Sequence, residues 1–188
     1  MTTANTHRSD NADPLDLYNT DVVATRMAIE GGVFNSAGKL WDPCDGLGDM
    51  SNVLKAYGFD VETSDKYDHV DRGVMLLDFL AEIHPRIDTI DGIVMNPPFK
   101  QTLEFIDRAL ELVDRVYMFN RASVLETRTR AERFNLRDWP LSAYYQFGPR
   151  VNCSKGVERS YPARGAVMYG WYVLDKKHKG DPVLRWLY

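Results

Sequence analysis

Apolar and polar positions alternate along this chain in two rhythms. Short apolar runs predict strands over Lys39 to Cys44, Phe59 to Thr63, Gly92 to Met95, Arg115 to Phe119, Tyr144 to Phe147 and Ala166 to Leu174, with a weaker one over Val74 to Leu77. Between them the spacing turns helical. A helix is expected from Asp21 to Glu30, capped by Thr20 or Asp21 and stopped by Gly31-Gly32. Met50, Val53, Leu54 and Tyr57 mark a second, ended by Gly58. Leu103, Ile106, Ala109, Leu110 and Val113 mark a third, and an arginine-rich helix is expected from Glu126 to about Leu136. Strand alternating with helix predicts a doubly wound, mainly parallel α/β sheet with covering helices. Residues 1–14 are polar and predict a flexible tail; residues 15–188 show neither repeat nor low-complexity linker and predict one domain.

Composition narrows this little. The chain has 188 residues, enough for one sizeable core, and its 44% hydrophobic and 27% charged residues are ordinary globular values. A formal charge of -4 argues against tight nonspecific duplex binding but leaves room for a local basic surface. Cys44 and Cys153 are the only cysteines, and His7, His69, His84 and His178 are scattered, so neither a disulfide framework nor a metal set is expected. With no signal peptide and no apolar run of spanning length, the expectation is a soluble, cytoplasmic protein without membrane contact.

Two motifs carry candidate chemistry. Asp42-Pro43-Cys44-Asp45-Gly46-Leu47-Gly48 lies between a strand and a helix, where Gly46 and Gly48 permit a tight turn and close backbone approach by a ligand. Asp65, at the end of the next strand, is placed to accept hydrogen bonds from ribose hydroxyls. A dinucleotide fits poorly: Ser51 stands where G-x-G-x-x-G needs its third glycine, and Asp42 and Asp49 would oppose a pyrophosphate but tolerate a cationic sulfonium. A plain structural turn would also use two glycines.

Asn96-Pro97-Pro98-Phe99 is more informative, because it follows the strand Gly92 to Met95 directly. A planar amine is a weak nucleophile, its lone pair being delocalised. The Asn96 side-chain oxygen and the Pro97 carbonyl can accept hydrogen bonds from such an NH₂ group and orient it. The prolines, Pro98 included, stiffen the loop, and Phe99 offers a flat face for a flipped base or amide. Neither metal nor covalent nucleophile is required.

Together the motifs resemble the S-adenosylmethionine-dependent amino-methyltransferase family, in particular phage and bacterial DNA adenine (6-amino) methyltransferases. The resemblance covers nearly all of the chain after the tail. It implies a Rossmann-like methyltransferase sheet with a C-terminal antiparallel hairpin, around Tyr169-Gly170-Trp171-Tyr172-Val173-Leu174 with Gly180 and Trp186 following. It implies S-adenosyl-L-methionine as cofactor, held by Thr20, Asp42, Pro43, Cys44, Gly46, Gly48, Asp65, Asp78, Phe79 and Asn96. Thr20 belongs to Tyr18-Asn19-Thr20-Asp21, similar to the segment that closes over the methionine part, although Asp21 replaces the usual proline; Asp78-Phe79-Leu80 resembles the segment beside the cofactor's adenine. Asn96, Pro97, Pro98 and Phe99 match the catalytic motif. The implied activity is methylation of the adenine 6-amino group in DNA, without a separate target-recognition domain. RNA, a protein glutamine amide and a non-catalytic subunit of the same fold are the alternatives.

Two further clusters stay open. Arg121, Arg128, Arg130, Arg133 and Arg137 either touch phosphates or form an ordinary solvated helix face, since Glu126 and Glu132 are interleaved. The stretch Asn152 to Arg164 either lies over the substrate or simply connects elements.

Overall fold

A computed structural model describes residues 16–159 and 167–188. The predicted tail, and the start of the strand expected from Ala166, lie outside them. In chain order the elements are β1 (Tyr18–Asn19), α1 (Val22–Glu30), β2 (Leu40–Asp42), α2 (Asp49–Ala56), β3 (Val61–Asp65), β4 (Met75–Leu76), β5 (Gly92–Met95), α3 (Thr102–Leu112), β6 (Arg115–Arg121), α4 (Arg128–Asn135), β7 (Leu141–Phe147), β8 (Ser154–Lys155), β9 (Tyr169–Asp175) and β10 (Val183–Leu187). Helix α1 begins as its cap predicts, with the Asp21 carboxylate accepting from Val23 N. The arginine-rich helix is shorter than expected and starts at Arg128, because Thr127, with φ of +76°, is not helical.

Eight strands form one sheet in the order β10-β7-β9-β6-β5-β2-β3-β4. Pairings within β4, β3, β2, β5 and β6 are parallel, and β9 runs antiparallel to both neighbours, β6 and β7. The antiparallel pair near the C-terminus is therefore β7–β9. The strand carrying Trp186, β10, lies parallel to β7 at the sheet edge instead of folding back on β9. It escaped the periodicity because all but Leu187 of its residues are exposed.

The sheet separates two apolar layers, and period-2 alternation distributes its side chains between them. Val94, Tyr117, Phe119, Trp171 and Val173 face Ala24, Ala28 and Leu54 of α1 and α2. Ile93, Met95, Val116, Met118, Tyr172 and Leu174 face Phe105, Ile106 and Ala109 of α3. All four residues of β5 are buried, as a central strand covered on both sides requires. No described helix is long and apolar enough to cross a membrane.

Chain order runs outward from β2 through β3 to β4 on one side, and from β5 to β6 on the other. The direction of travel reverses between β2 and β5. In open α/β sheets a ligand crevice lies outside the carboxyl ends of the strands at such a point.

Candidate active site

A cleft of about 530 Å³ opens there, a volume suited to a small-molecule ligand. Thr20, Asp42, Pro43, Cys44, Gly46, Asp65, Asp78, Phe79, Asn96 and Pro98 line it; Gly48, Pro97 and Phe99 do not. Ten of the thirteen residues expected at the site thus meet in one concavity.

The glycine turn builds one wall. Gly46 and Gly48 have φ of +55° and +79°, a region where a Cβ is disfavoured. Gly48 caps α2, and a side chain there would also run into the Arg72 guanidinium. Asp65 holds the turn: one carboxylate oxygen accepts from Gly46 N at 2.8 Å, the other from Tyr67 N at 2.9 Å. The Asp45 carboxylate accepts from the Ser51 hydroxyl and lies 3.0 Å from Arg72 Nη1. Asp42, Asp45 and Asp65 are all buried. Burial, together with the neighbouring carboxylates of Asp45 and then Asp65, pushes the Asp42 carboxyl well above the ordinary range, against a hydrogen bond from Cys44 N. The wall is rich in acceptors and suits a cationic, donor-bearing ligand. Burial and the Asp42 charge raise the Cys44 thiol, so it stays protonated and is no nucleophile.

Asp78 and Phe79 form the outer end. The hydrogen bond from Lys66, 2.8 Å away, holds Asp78 below the usual carboxylate range. Phe79 packs between Trp41 and Phe105, with ring centroids 5.3 and 5.0 Å away.

Asn96 lies at the carboxyl end of β5, the strand beside β2. Its Nδ2 donates to the Tyr18 carbonyl at 2.8 Å and to Thr20 Oγ1 at 3.0 Å, while its buried Oδ1 has no hydrogen-bond partner. A carbonyl only accepts, so the Tyr18 contact fixes which end of the amide is which. The loop after Asn96 is tied into α3: Gln101 N donates to the Pro98 carbonyl, and the Thr102 hydroxyl contacts the Pro98 and Phe99 carbonyls. Phe99 departs from expectation. Its ring lies 4.8 Å from Tyr18, and the Arg121 guanidinium sits over it at 4.0 Å, so protein groups hold the face expected to receive a target.

Several contacts at the site were not legible in the sequence. Residues 16–20 form a strap in which β1 pairs antiparallel with β8. Asn19 Nδ2 reaches the Gly156 carbonyl at 2.8 Å, and Arg159 pairs with Asp49 of α2 at 2.7 Å. Part of the 152–164 stretch thus reaches the cofactor wall. Arg72, Lys66 and Tyr67 arrive from the loop after β3. No local pattern marks them, since their partners lie elsewhere in the sequence. The arginine cluster finds partners within the fold: Arg133 binds Asp107 and stacks on Trp139 at 4.3 Å, Arg130 donates to the Ser123 carbonyl, and Arg128 makes an exposed pair with Glu132.

No protein-family model matches the sequence, and no curated protein matches it. Solved structures do match. A candidate RNA methyltransferase of Pyrococcus horikoshii is 17% identical, with a TM-score of 0.62 over 86% of this chain and 87% of that one. A candidate class I S-adenosylmethionine-dependent methyltransferase of Listeria monocytogenes is 14% identical, with a TM-score of 0.62 over 94% and 68%. The 23S rRNA methyltransferase ErmE is 14% identical, with a TM-score of 0.54 over 87% and 70%. At such identities the likeness is one of architecture: the chain has the Rossmann-like fold of class I methyltransferases.

Proposed function

We propose that this protein is an S-adenosylmethionine-dependent N-methyltransferase acting on a planar exocyclic amine, with the 6-amino group of adenine in DNA as the leading substrate. The observation that carries this reading is Asn96, a residue of the cleft lining: its amide nitrogen donates to two acceptors, and its oxygen is a buried acceptor left unpaired. A buried acceptor without a partner is costly, and a ligand N–H relieves that cost.

The residues present fit the cofactor. Gly46 and Gly48 give the turn its close approach, Asp42 and Asp65 supply buried carboxylates for a cation and for hydroxyl donors, and Asp78 and Phe79 flank the outer end. An anionic pyrophosphate would meet the same carboxylates unfavourably. When bound, S-adenosylmethionine supplies a sulfonium methyl: the N–C bond forms as the C–S bond breaks, a neutral thioether leaves, and the product nitrogen releases a proton to water. The chain's own part is orientation. Asn96 Oδ1 accepts from the target NH₂ and turns its lone pair towards the methyl.

RNA is the second reading, favoured by some of the fold relatives being named for RNA. The test is transfer of labelled methyl to DNA lacking endogenous methylation, followed by nucleoside mass spectrometry. N6-methyladenine is expected. No label on DNA, but label on RNA, moves the substrate to RNA; no label on any planar amine, with the cofactor bound, overturns the activity. DNA affinity should also fall steeply with salt if phosphates are contacted.

A further inference from the structure

We infer that the strap of residues 16–20 is a positioning device for Asn96: the Tyr18 carbonyl sets which end of the Asn96 amide faces the target, and the Thr20 hydroxyl holds the amide in that orientation by accepting its second proton. The inference rests on the amine-methylating reading of the same cleft. It gives Thr20 a task other than contact with the cofactor.

A side-chain amide has two ends of nearly equal size and opposite polarity, and a half-turn about its last torsion exchanges them. The reaction tolerates one orientation only. With the oxygen forward, Asn96 accepts from the target NH₂; with the nitrogen forward, donor faces donor and the target's lone pair is pulled into the wrong bond. Nothing in the loop after Asn96 distinguishes the two. The strap does. In the flipped state Asn96 Oδ1 would stand against the Tyr18 carbonyl at 2.8 Å, oxygen against oxygen. The observed state instead gives both amide protons an acceptor, Tyr18 O and Thr20 Oγ1.

A device of this kind must itself be held still. Lys100 N donates to the Asp16 carboxylate at 2.9 Å, Gly156 N donates to the Leu17 carbonyl at 3.0 Å, and Asn19 Nδ2 bridges to the Gly156 carbonyl and, at 3.3 Å, to Ser154 Oγ. The Tyr18 ring rests against Phe99, and Asp21 starts α1 immediately afterwards. Thr20 is 5% exposed and fixed between these anchors. Loss of the strap's acceptors therefore frees the amide to flip.

The experiment compares Thr20→Val, which keeps shape and loses the hydroxyl, with Thr20→Ser, which keeps the oxygen. Asparagine side chains are labelled with ¹⁵N, and the Asn96 amide is assigned by its absence from Asn96→Ala. In the wild type its protons exchange slowly with water; in T20V they should exchange about tenfold faster, the size of one lost hydrogen bond, and T20S should restore the slow rate. In turnover, T20V should lower kcat about tenfold or more while the cofactor Kd moves by less than about threefold, with T20S recovering the rate. Unchanged exchange in T20V overturns the inference, as does a weakened cofactor Kd with kcat intact. Exchange is read without cofactor or substrate. An inactive wild type would sink the amine reading alone, and the exchange rates would still decide the role of the strap.

Discussion

The two walls of the cleft are built in opposite ways. The cofactor wall is a continuous stretch, residues 42–51, closed by Asp65 at the end of the next strand. The amine wall is one residue, Asn96, oriented by partners 76 and 78 positions away that are pinned in turn by a loop more than 130 positions further on. In the first wall each Asp65 oxygen already has a backbone partner and keeps acceptor capacity for a ligand. In the second, Asn96 Oδ1 has no partner at all. A wall dictated by local conformation advertises itself through glycines and acids, whereas a wall assembled at long range shows only its central residue. The two should also fail differently, the cofactor wall in affinity and stability, the amine wall in rate.

The sharpest division comes from Asn96→Ala. It should lower kcat/KM by about 10²- to 10³-fold, the usual cost of removing an orienting polar group, with cofactor affinity nearly intact. Single-turnover transfer and calorimetry on the same preparation check it; unchanged turnover would falsify the assigned mechanism. Asp65→Ala should show the opposite signature. Loss of the bond to Gly46 N loosens the turn, and the cofactor Kd should rise about 10- to 100-fold, as for a lost charge-assisted bond. An unaltered Kd would refute its place in the cofactor wall.

Asp42→Asn probes the cofactor wall through pH. Burial raises the Asp42 carboxyl well above its ordinary value of 3.8, so between the two values the folded state binds a proton that the unfolded state has released. Stability attributable to this group therefore falls as pH rises from that value through the folded one. The amide removes the charge and can still accept from Cys44 N. Its melting temperature, in the absence of cofactor, should exceed the wild type's at pH 8 and converge with it in acid, while cofactor affinity falls. A lower melting temperature at pH 8 would mean that the buried charge is compensated within the protein.

What the sequence made legible follows the same division. The parallel strands and the placement of both motifs and of Asp65 could be read because each depends on residues close together: Gly92 to Met95 is a short apolar run stopped by Pro97-Pro98, and the observed β5 has those bounds. Strand β10 was missed, since its exposed side chains carry no alternation and its pairing with β7 is non-local. The strap was visible only through family resemblance, which placed it at the cofactor. Its bonds to the Asn96 amide depend on backbone groups that no residue type encodes. Phe99 shows the limit from the other side. Its residue type suited stacking, but the Arg121 that covers it lies 22 positions on, at the end of a different strand.

Gly48→Ala gives the smallest expected effect and the most direct check on why the cofactor wall was readable. The residue has φ +79°, so alanine there pays a left-handed penalty of about 1–2 kcal/mol. The new methyl also displaces the Arg72 guanidinium, but that is the far end of a flexible side chain and can withdraw. Backbone strain should then dominate, lowering the melting temperature by roughly 2–8 °C for a domain of this size. Cofactor affinity should weaken only as far as the turn shifts, and kcat at saturating cofactor should hold. A loss of kcat at saturation would couple the two walls and break the division between them. Loss of stability with kcat intact would leave the glycine as a purely conformational requirement, which is the kind of constraint a single residue type can record.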